Sequence, residues 1–259
     1  MTTPLIPLKP GGASPAAQAT HRRYYLHTFG CQMNEADSSR MGEILKRMGY
    51  GQTFEPEAAD LILLNTCAIR EKAEQKMLSW LGRYRQVKLS RGALIGVAGC
   101  VAQQEKDKLL QKVPYLDFVF GPDAIGKLPE ILKRVEEKER VVETAWLDSE
   151  EYVFPRADPE SSRGKVSEFV TVMKGCNNVC SFCVVPYTRG REQSRDLAEV
   201  LAEVRDLAGV GVKEVTLIGQ NVNSYRGGCD FAELLREVCA VPGIERVRFT
   251  TSHPHDLSD

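Results

Sequence analysis

From residue 24 onward, short apolar runs alternate with segments in which apolar residues recur every three or four positions. Residues 24–29 predict a first strand. Met41, Ile44, Leu45 and Met48 then fall at helical spacing, with Gly49 placed to stop the helix. Residues 61–64 predict a second strand and 70–86 a helix; 93–98 predict a third strand and 103–112 a helix. A fourth strand is expected at 117–120, and a last helix with charged faces at 125–139. Strand–helix alternation of this kind builds a parallel sheet with helices on both faces.

The pattern breaks over residues 141–164, which are acidic and then carry Pro155, Pro159, Ser161 and Ser162. Such a stretch predicts an interdomain linker. A second alternation follows, with strands at 166–173, 214–218 and 246–251 and helices at 196–208 and 231–241. Leu197, Val200, Leu201, Val204 and Leu207 share one helix face, and Asp196 with Glu199 has the spacing of a capping pair. The expected organisation is a disordered tail at 1–22, an α/β domain at 23–140, the linker at 141–164 and a second α/β domain at 165–259. A parallel sheet that stops at residue 251 leaves an open edge, so a C-terminally truncated form of a longer enzyme is expected.

Composition narrows the class. With 259 residues, 42% hydrophobic and 27% charged, the chain has the make-up of a globular protein with room for two cores. A formal net charge of −1 gives no global attraction to nucleic acid, so any RNA site has to be a local patch. Residues 1–20 hold Pro4, Pro7, Pro10 and Pro15 but neither a basic start nor an apolar core, unlike a secretory signal. The longest weakly polar run, 92–102, is shorter than the ~20 residues that span a bilayer. A reducing cytoplasmic location without membrane contact is therefore expected, where eight cysteines point to metal ligation or catalysis rather than disulfides.

Six of those cysteines fall into two trios. Cys176, Cys180 and Cys183 form C-x3-C-x2-C directly after the first strand of the second domain, with Gly175 giving the backbone room to turn. Three thiolates this close can hold one face of a four-iron cubane and leave one iron open to a reactant. A zinc knuckle would need a fourth ligand, and the nearest other cysteines are Cys229 and Cys239. Cys31, Cys67 and Cys100 each lie just past the end of a predicted strand of the first domain. In a parallel sheet those strand ends share one edge, where open α/β folds place their ligands. The competing reading is that buried cysteines are ordinary small core residues.

The second trio, with Phe182 just before its last cysteine, resembles the radical SAM superfamily. The two trios together resemble its methylthiotransferases. Gly30-Cys-Gln-Met-Asn, Asn65-Thr-Cys-Ala-Ile-Arg and Cys183-Val-Val-Pro-Tyr-Thr-Arg-Gly-Arg-Glu carry that likeness. Leu217-Ile-Gly-Gln-Asn-Val-Asn-Ser-Tyr and Phe249-Thr-Thr-Ser-His-Pro are similar to the MiaB-type branch, which acts on tRNA. The resemblance implies a flavodoxin-like domain followed by the first half of a TIM-like radical SAM barrel. It implies two 4Fe–4S clusters, an auxiliary one on Cys31, Cys67 and Cys100 and a catalytic one on Cys176, Cys180 and Cys183, with S-adenosylmethionine bound to the latter.

A 5′-deoxyadenosyl radical would then take hydrogen from C2 of N6-isopentenyladenosine beside the anticodon, the auxiliary cluster would supply or carry sulfur, and a second S-adenosylmethionine would give the methyl group. Partners implied are the tRNA anticodon stem-loop and an external electron donor, with the enzyme acting as a monomer. No catalytic side chain is assigned. Phe182, Gly219 and Gln220 are the cofactor-binding candidates, since the superfamily commonly contacts the methionyl amino group after the second barrel strand. Gln220 is neutral where many relatives carry Glu, which leaves its role open. The rest of the barrel and a C-terminal RNA-binding domain, both expected from the family, are not in the sequence.

Arg83, Tyr84, Arg85, Lys88 and Arg91 make a basic, aromatic-containing stretch, best explained as a solvated helix face. Arg189 and Arg191 sit beside the cluster loop and are candidates for RNA or cofactor contact. His253 falls in a family motif but is equally explained as a structural histidine. Cys229 and Cys239 are read as non-ligands. The nearest rival function is methylthiolation of threonylcarbamoyladenosine in tRNA. A different class of rival is a binding fragment whose clusters, or a zinc ion, are purely structural.

Overall fold

The computed structural model describes residues 22–68, 71–148, 151–154 and 156–257. The tail expected at 1–22 lies outside them except for Arg22, as do Ile69, Arg70 and Pro155.

The first domain runs β1 (Arg22–Thr28), α1 (Gln32–Arg47), β2 (Tyr50–Gln52), β3 (Leu61–Thr66), α2 (Glu71–Arg91), β4 (Leu94–Gly99), α3 (Cys100–Glu105), α4 (Asp107–Lys112), β5 (Phe118–Phe120), α5 (Leu128–Glu136) and β6 (Val141–Glu143). Its six strands pair in parallel in the order β2-β1-β3-β4-β5-β6. Apart from the added edge strand β6, that is the doubly wound flavodoxin-like order.

The central strand β3 is buried on both faces, as a parallel sheet between helix layers requires. Ile62 and Leu64 meet Met77, Leu81, Tyr84, Val101 and Leu109 on one side. Leu61 and Leu63 meet Met41, Leu45, Ile131 and Leu132 on the other. In α5 the buried residues Leu128, Ile131, Leu132 and Val135 recur at helical spacing, so one stripe faces the sheet.

Three details depart from the sequence-based reading. Tyr50–Gln52 forms a strand although only one of its residues is a large apolar side chain, because pairing with β1 fixes it. The helix expected at 103–112 is two helices, broken at Lys106 with φ +51°. The break lets Val101 and Ala102, then Leu109 and Leu110, all reach one core. The linker expected at 141–164 begins as β6, with Val141 fully buried against β5, and also contains α6 (Pro159–Ser162). Three residues among charged neighbours carry too short a pattern to read as a strand.

The second domain continues with β7 (Ser167–Thr171), β8 (Met173–Lys174), α7 (Val185–Thr188), β9 (Gln193–Ser194), α8 (Leu197–Gly209), β10 (Glu214–Ile218), α9 (Phe231–Cys239) and β11 (Arg246–Phe249). Strands β7, β10 and β11 form a parallel sheet in the order β11-β10-β7, the succession of βα units with which a TIM-like barrel begins. Val200, Val204 and Leu207 of α8 and Leu234 and Val238 of α9 cover it. Asp196 caps α8 by accepting from Ala198 N at 2.8 Å. Glu199 does not complete a capping box; its carboxylate faces Arg195 instead.

The strand expected at 166–173 is divided. Its end, β8, turns out of the sheet and pairs antiparallel with β9, Met173 opposite Ser194 and Lys174 opposite Gln193. This two-stranded clasp closes the base of the loop that holds Cys176, Cys180 and Cys183. No helix among the described residues is long and apolar enough to cross a membrane.

Candidate functional site

Cys31 is the N-cap of α1, Cys67 follows β3, and Cys100 opens α3 directly after β4. Because β1, β3 and β4 are adjacent and parallel, all three cysteines arrive at the same sheet edge. The neighbouring Cys67 side chain, against the opposing effect of burial, together with the Asn34 backbone and the Arg189 charge holds the Cys31 thiol well below its usual range. Gly30, at φ +137°, makes the approach possible: a Cβ there would lie 2.6 Å from Cβ of Cys67.

A buried polar frame surrounds this trio. Asn34 Nδ2 donates to Asn65 Oδ1 at 3.1 Å, and Asn65 Nδ2 donates to the Asn34 carbonyl at 2.8 Å and to Ser38 Oγ at 2.9 Å. Thr28 Oγ1 donates to Ser38 Oγ at 2.7 Å. Asn34, Asn65 and Ser38 are buried, so each bond replaces one that water would have made. Sequence reasoning missed these residues as a frame, although Asn34 and Asn65 stand inside the two motifs quoted for the first domain.

Cys176, Cys180 and Cys183 lie on the loop after β8. Cys176 N donates to the Gly190 carbonyl at 3.2 Å, Asn178 N to Cys176 Sγ at 3.4 Å, and Cys183 N to the Cys180 carbonyl at 3.1 Å. Gly175, at φ +74°, has the Arg191 carbonyl oxygen 2.1 Å from where a Cβ would stand, so the turn admits only glycine. Gln220 accepts from Gly175 N and thereby holds the start of the loop. Gly219 packs against Met173, leaving no room for a larger residue. The Phe182 ring is 91% exposed.

His253 adds a contact that the sequence left undecided. Its Nε2 is 3.4 Å from Cys180 Sγ, while its backbone N–H donates to Asn221 Oδ1 and Asn223 Oδ1. Asp256 accepts from Asn178 Nδ2 and from Asn221 Nδ2, and these bonds hold its carboxyl down to about 2.

Arg189 joins the segment that follows the second trio to the first trio. From the loop after α7 it enters the first domain, where Nε donates to Cys100 Sγ at 3.3 Å. Burial opposes its charge, yet Asp37 and the sulfurs of Cys100 and Cys31 hold its pKa well above normal. Arg189 is therefore buried between domains rather than open to RNA. Arg191 instead lines a cleft of about 530 Å³ beside Trp146, Lys174 and Glu192.

The basic stretch on α2 is largely committed elsewhere: Lys88 pairs with Asp117 and Arg91 with Asp60, while Tyr84 is buried and bonded to His27 Nδ1 at 2.8 Å. Cys229 packs against the second core and Cys239 is exposed.

Among the described residues, no three His, Cys, Asp or Glu side chains close on a single-ion position. Each trio supplies soft sulfur donors alone, the donor type that would suit an iron–sulfur cluster with one iron left open.

Comparison with known proteins agrees with this architecture. Residues 23–121 match the model of the uncharacterized protein family UPF0004, and residues 170–257 that of the radical SAM superfamily. The chain is 68% identical over 98% of its length to a tRNA-2-methylthio-N(6)-dimethylallyladenosine synthase of Anaeromyxobacter sp. (strain K), covering 56% of that protein. It is 74% identical over 92% of its length to the synthase of the same name from Myxococcus xanthus (strain DK1622), covering 52% of it. The chain thus spans about half the length of the curated relatives it matches.

Among solved structures, the radical S-adenosylmethionine methyltransferase TsrM from Kitasatospora setae aligns over 83% of this chain and 50% of its own, with TM-score 0.57 and 15% identity. The cobalamin-dependent S-adenosylmethionine radical enzyme OxsB aligns over 88% of this chain and 38% of its own, with TM-score 0.54 and 14% identity. At such identities the likeness is one of fold.

Proposed function

The chain belongs to the radical SAM methylthiotransferase family, and on that premise we propose that it serves the 2-methylthiolation of N6-dimethylallyladenosine in tRNA. The observation that carries the reading is the arrival of Cys31, Cys67 and Cys100 at one sheet edge, joined through Arg189 to the loop of the second trio. The names of the relatives at 68% and 74% identity supply the nucleoside.

Cys176, Cys180 and Cys183 would hold one 4Fe–4S cluster, and Cys31, Cys67 and Cys100 a second. When bound, the first supplies reductive cleavage of S-adenosylmethionine for attack on an unreactive C–H bond, and the second supplies or relays sulfur. The chain's own residues set the positions. The β8–β9 clasp and Gln220 hold the loop of Cys176, Cys180 and Cys183, His253 steadies Cys180, and the Asn34–Asn65–Ser38 frame fixes the ends of β1 and β3. Phe182 and Gly219 would shape the S-adenosylmethionine pocket, with Gln220 facing it through the loop that it holds.

The unit of residues 23–140 extended by β6 would be the auxiliary-cluster domain, 144–164 the connection, and 165–259 the radical SAM domain. An external electron donor and a cytoplasmic, monomeric protein complete the reading.

Nucleoside analysis of tRNA from a strain lacking the gene tests it. N6-dimethylallyladenosine should accumulate and its 2-methylthio derivative disappear. Loss of the methylthiolated threonylcarbamoyl nucleoside instead would assign the sister activity.

A further inference from the structure

Arg189 uses all three of its guanidinium nitrogens on the other domain. Nε donates to Cys100 Sγ at 3.3 Å and Nη2 to Asn34 Oδ1 at 3.2 Å. Nη1 lies 2.7 Å from Asp37 Oδ2 as an ion pair. The two side chains are 5% and 2% exposed, so the charges are withdrawn from water together.

An interdomain ion pair would need only Asp37. Turning Nε onto a sulfur, and Nη2 onto the asparagine of the polar frame, needs a fixed fork that a lysine ammonium lacks. Hydrogen bonds to ligand sulfurs and nearby charge are the means by which proteins set cluster potentials.

We propose that Arg189 is a positioning residue for the auxiliary cluster: it ties the radical SAM loop to Cys100 and holds a cation and an N–H donor against that ligand sulfur, favouring the one-electron-reduced cluster. The inference rests on the proposed function, because it takes Cys31, Cys67 and Cys100 as ligands. Reduction adds negative charge to the cluster, and the guanidinium beside Cys100 stabilises that charge in a site with little water to do so.

The test is a dithionite titration of the reconstituted full chain followed by electron paramagnetic resonance. C31A/C67A/C100A protein is titrated in parallel to assign the signal of the other cluster. R189Q alone would strand the Asp37 carboxylate, so R189Q/D37N, which buries no unpaired charge, is the main variant and R189K the second. At the wild-type midpoint, the reduced fraction of the auxiliary cluster should fall at least about threefold in R189Q/D37N, given the strength of a charged hydrogen bond. R189K should show a smaller fall, and the other cluster should not move. An unchanged auxiliary midpoint in R189Q/D37N, with its four irons retained, overturns the assignment of Arg189 alone. A wild-type protein without any auxiliary signal overturns the proposed function, and the role of Arg189 with it.

Discussion

His253 Nε2 stands 3.4 Å from Cys180 Sγ, and the His253 backbone is pinned by Asn221 and Asn223. On the proposed function, a group that contacts the Cys180 sulfur in this way would tune the site without holding the metal. Replacing His253 with Ala should leave the fold and the other trio intact while the cluster on Cys176, Cys180 and Cys183 is retained about tenfold less well. Iron content after chelator challenge reads the difference; equal retention would show that the imidazole is a bystander.

Gly175 should be intolerant of any side chain. Its φ of +74° and the Arg191 carbonyl oxygen 2.1 Å from a would-be Cβ combine strain with a backbone clash. Gly175→Ala should cost about 2 kcal/mol or more in urea unfolding. It should also lower iron loading at the second trio before the first. A variant with wild-type stability and loading would contradict the geometry of this turn.

Lys174 and Asp123 form a second buried tie between the domains. Lys174 Nζ is 2.7 Å from Asp123 Oδ1 and 3.6 Å from the centroid of the Tyr152 ring, with both charged side chains nearly inaccessible. Lys174→Met leaves a buried carboxylate without its partner and should destabilise by about 3–5 kcal/mol. Adding Asp123→Asn should recover much of that loss. Additive effects of the two substitutions in a double-mutant cycle would show that the pair is not coupled.

Asp256 should make the region around His253 acid-sensitive. Asn178 and Asn221 hold its carboxyl at about 2, below the ordinary 3.8. A depressed carboxyl contributes stability that is fully present above about pH 4 and is lost as the pH falls toward 2. Thermal melting of the metal-free chain across that window should steepen with acid in the wild type and less so in Asp256→Asn. Identical pH dependence in both would exclude this contribution.

Much of the fold was legible because β3 and β4 open on apolar runs and β10 alternates buried Val215 and Leu217 with Glu214 and Thr216, each between helical repeats, and parallel pairing follows from the alternation. What escaped were the elements fixed by partners rather than by their own residues. Tyr50–Gln52 and Val141–Glu143 are edge strands too short for a periodic signal, and the kink at Lys106 carries neither Gly nor Pro to announce it. At the candidate site, the strand ends that carry Cys31, Cys67 and Cys100 followed from the alternation of elements, and the loop of Cys176, Cys180 and Cys183 from its position after a strand. Arg189 illustrates the limit: its place beside the triplet was plain in the sequence, but its burial against Cys100 and Asp37 depends on how two domains meet.

Iron and sulfide analysis after anaerobic reconstitution, with electron paramagnetic resonance on the reduced protein, bears most directly on the presence of two clusters. Wild type should bind about eight irons, and C31A/C67A/C100A and C176A/C180A/C183A about four each with complementary signals. A single zinc ion and no iron, or a spectrum that is unchanged when Cys31, Cys67 and Cys100 are replaced, would contradict it.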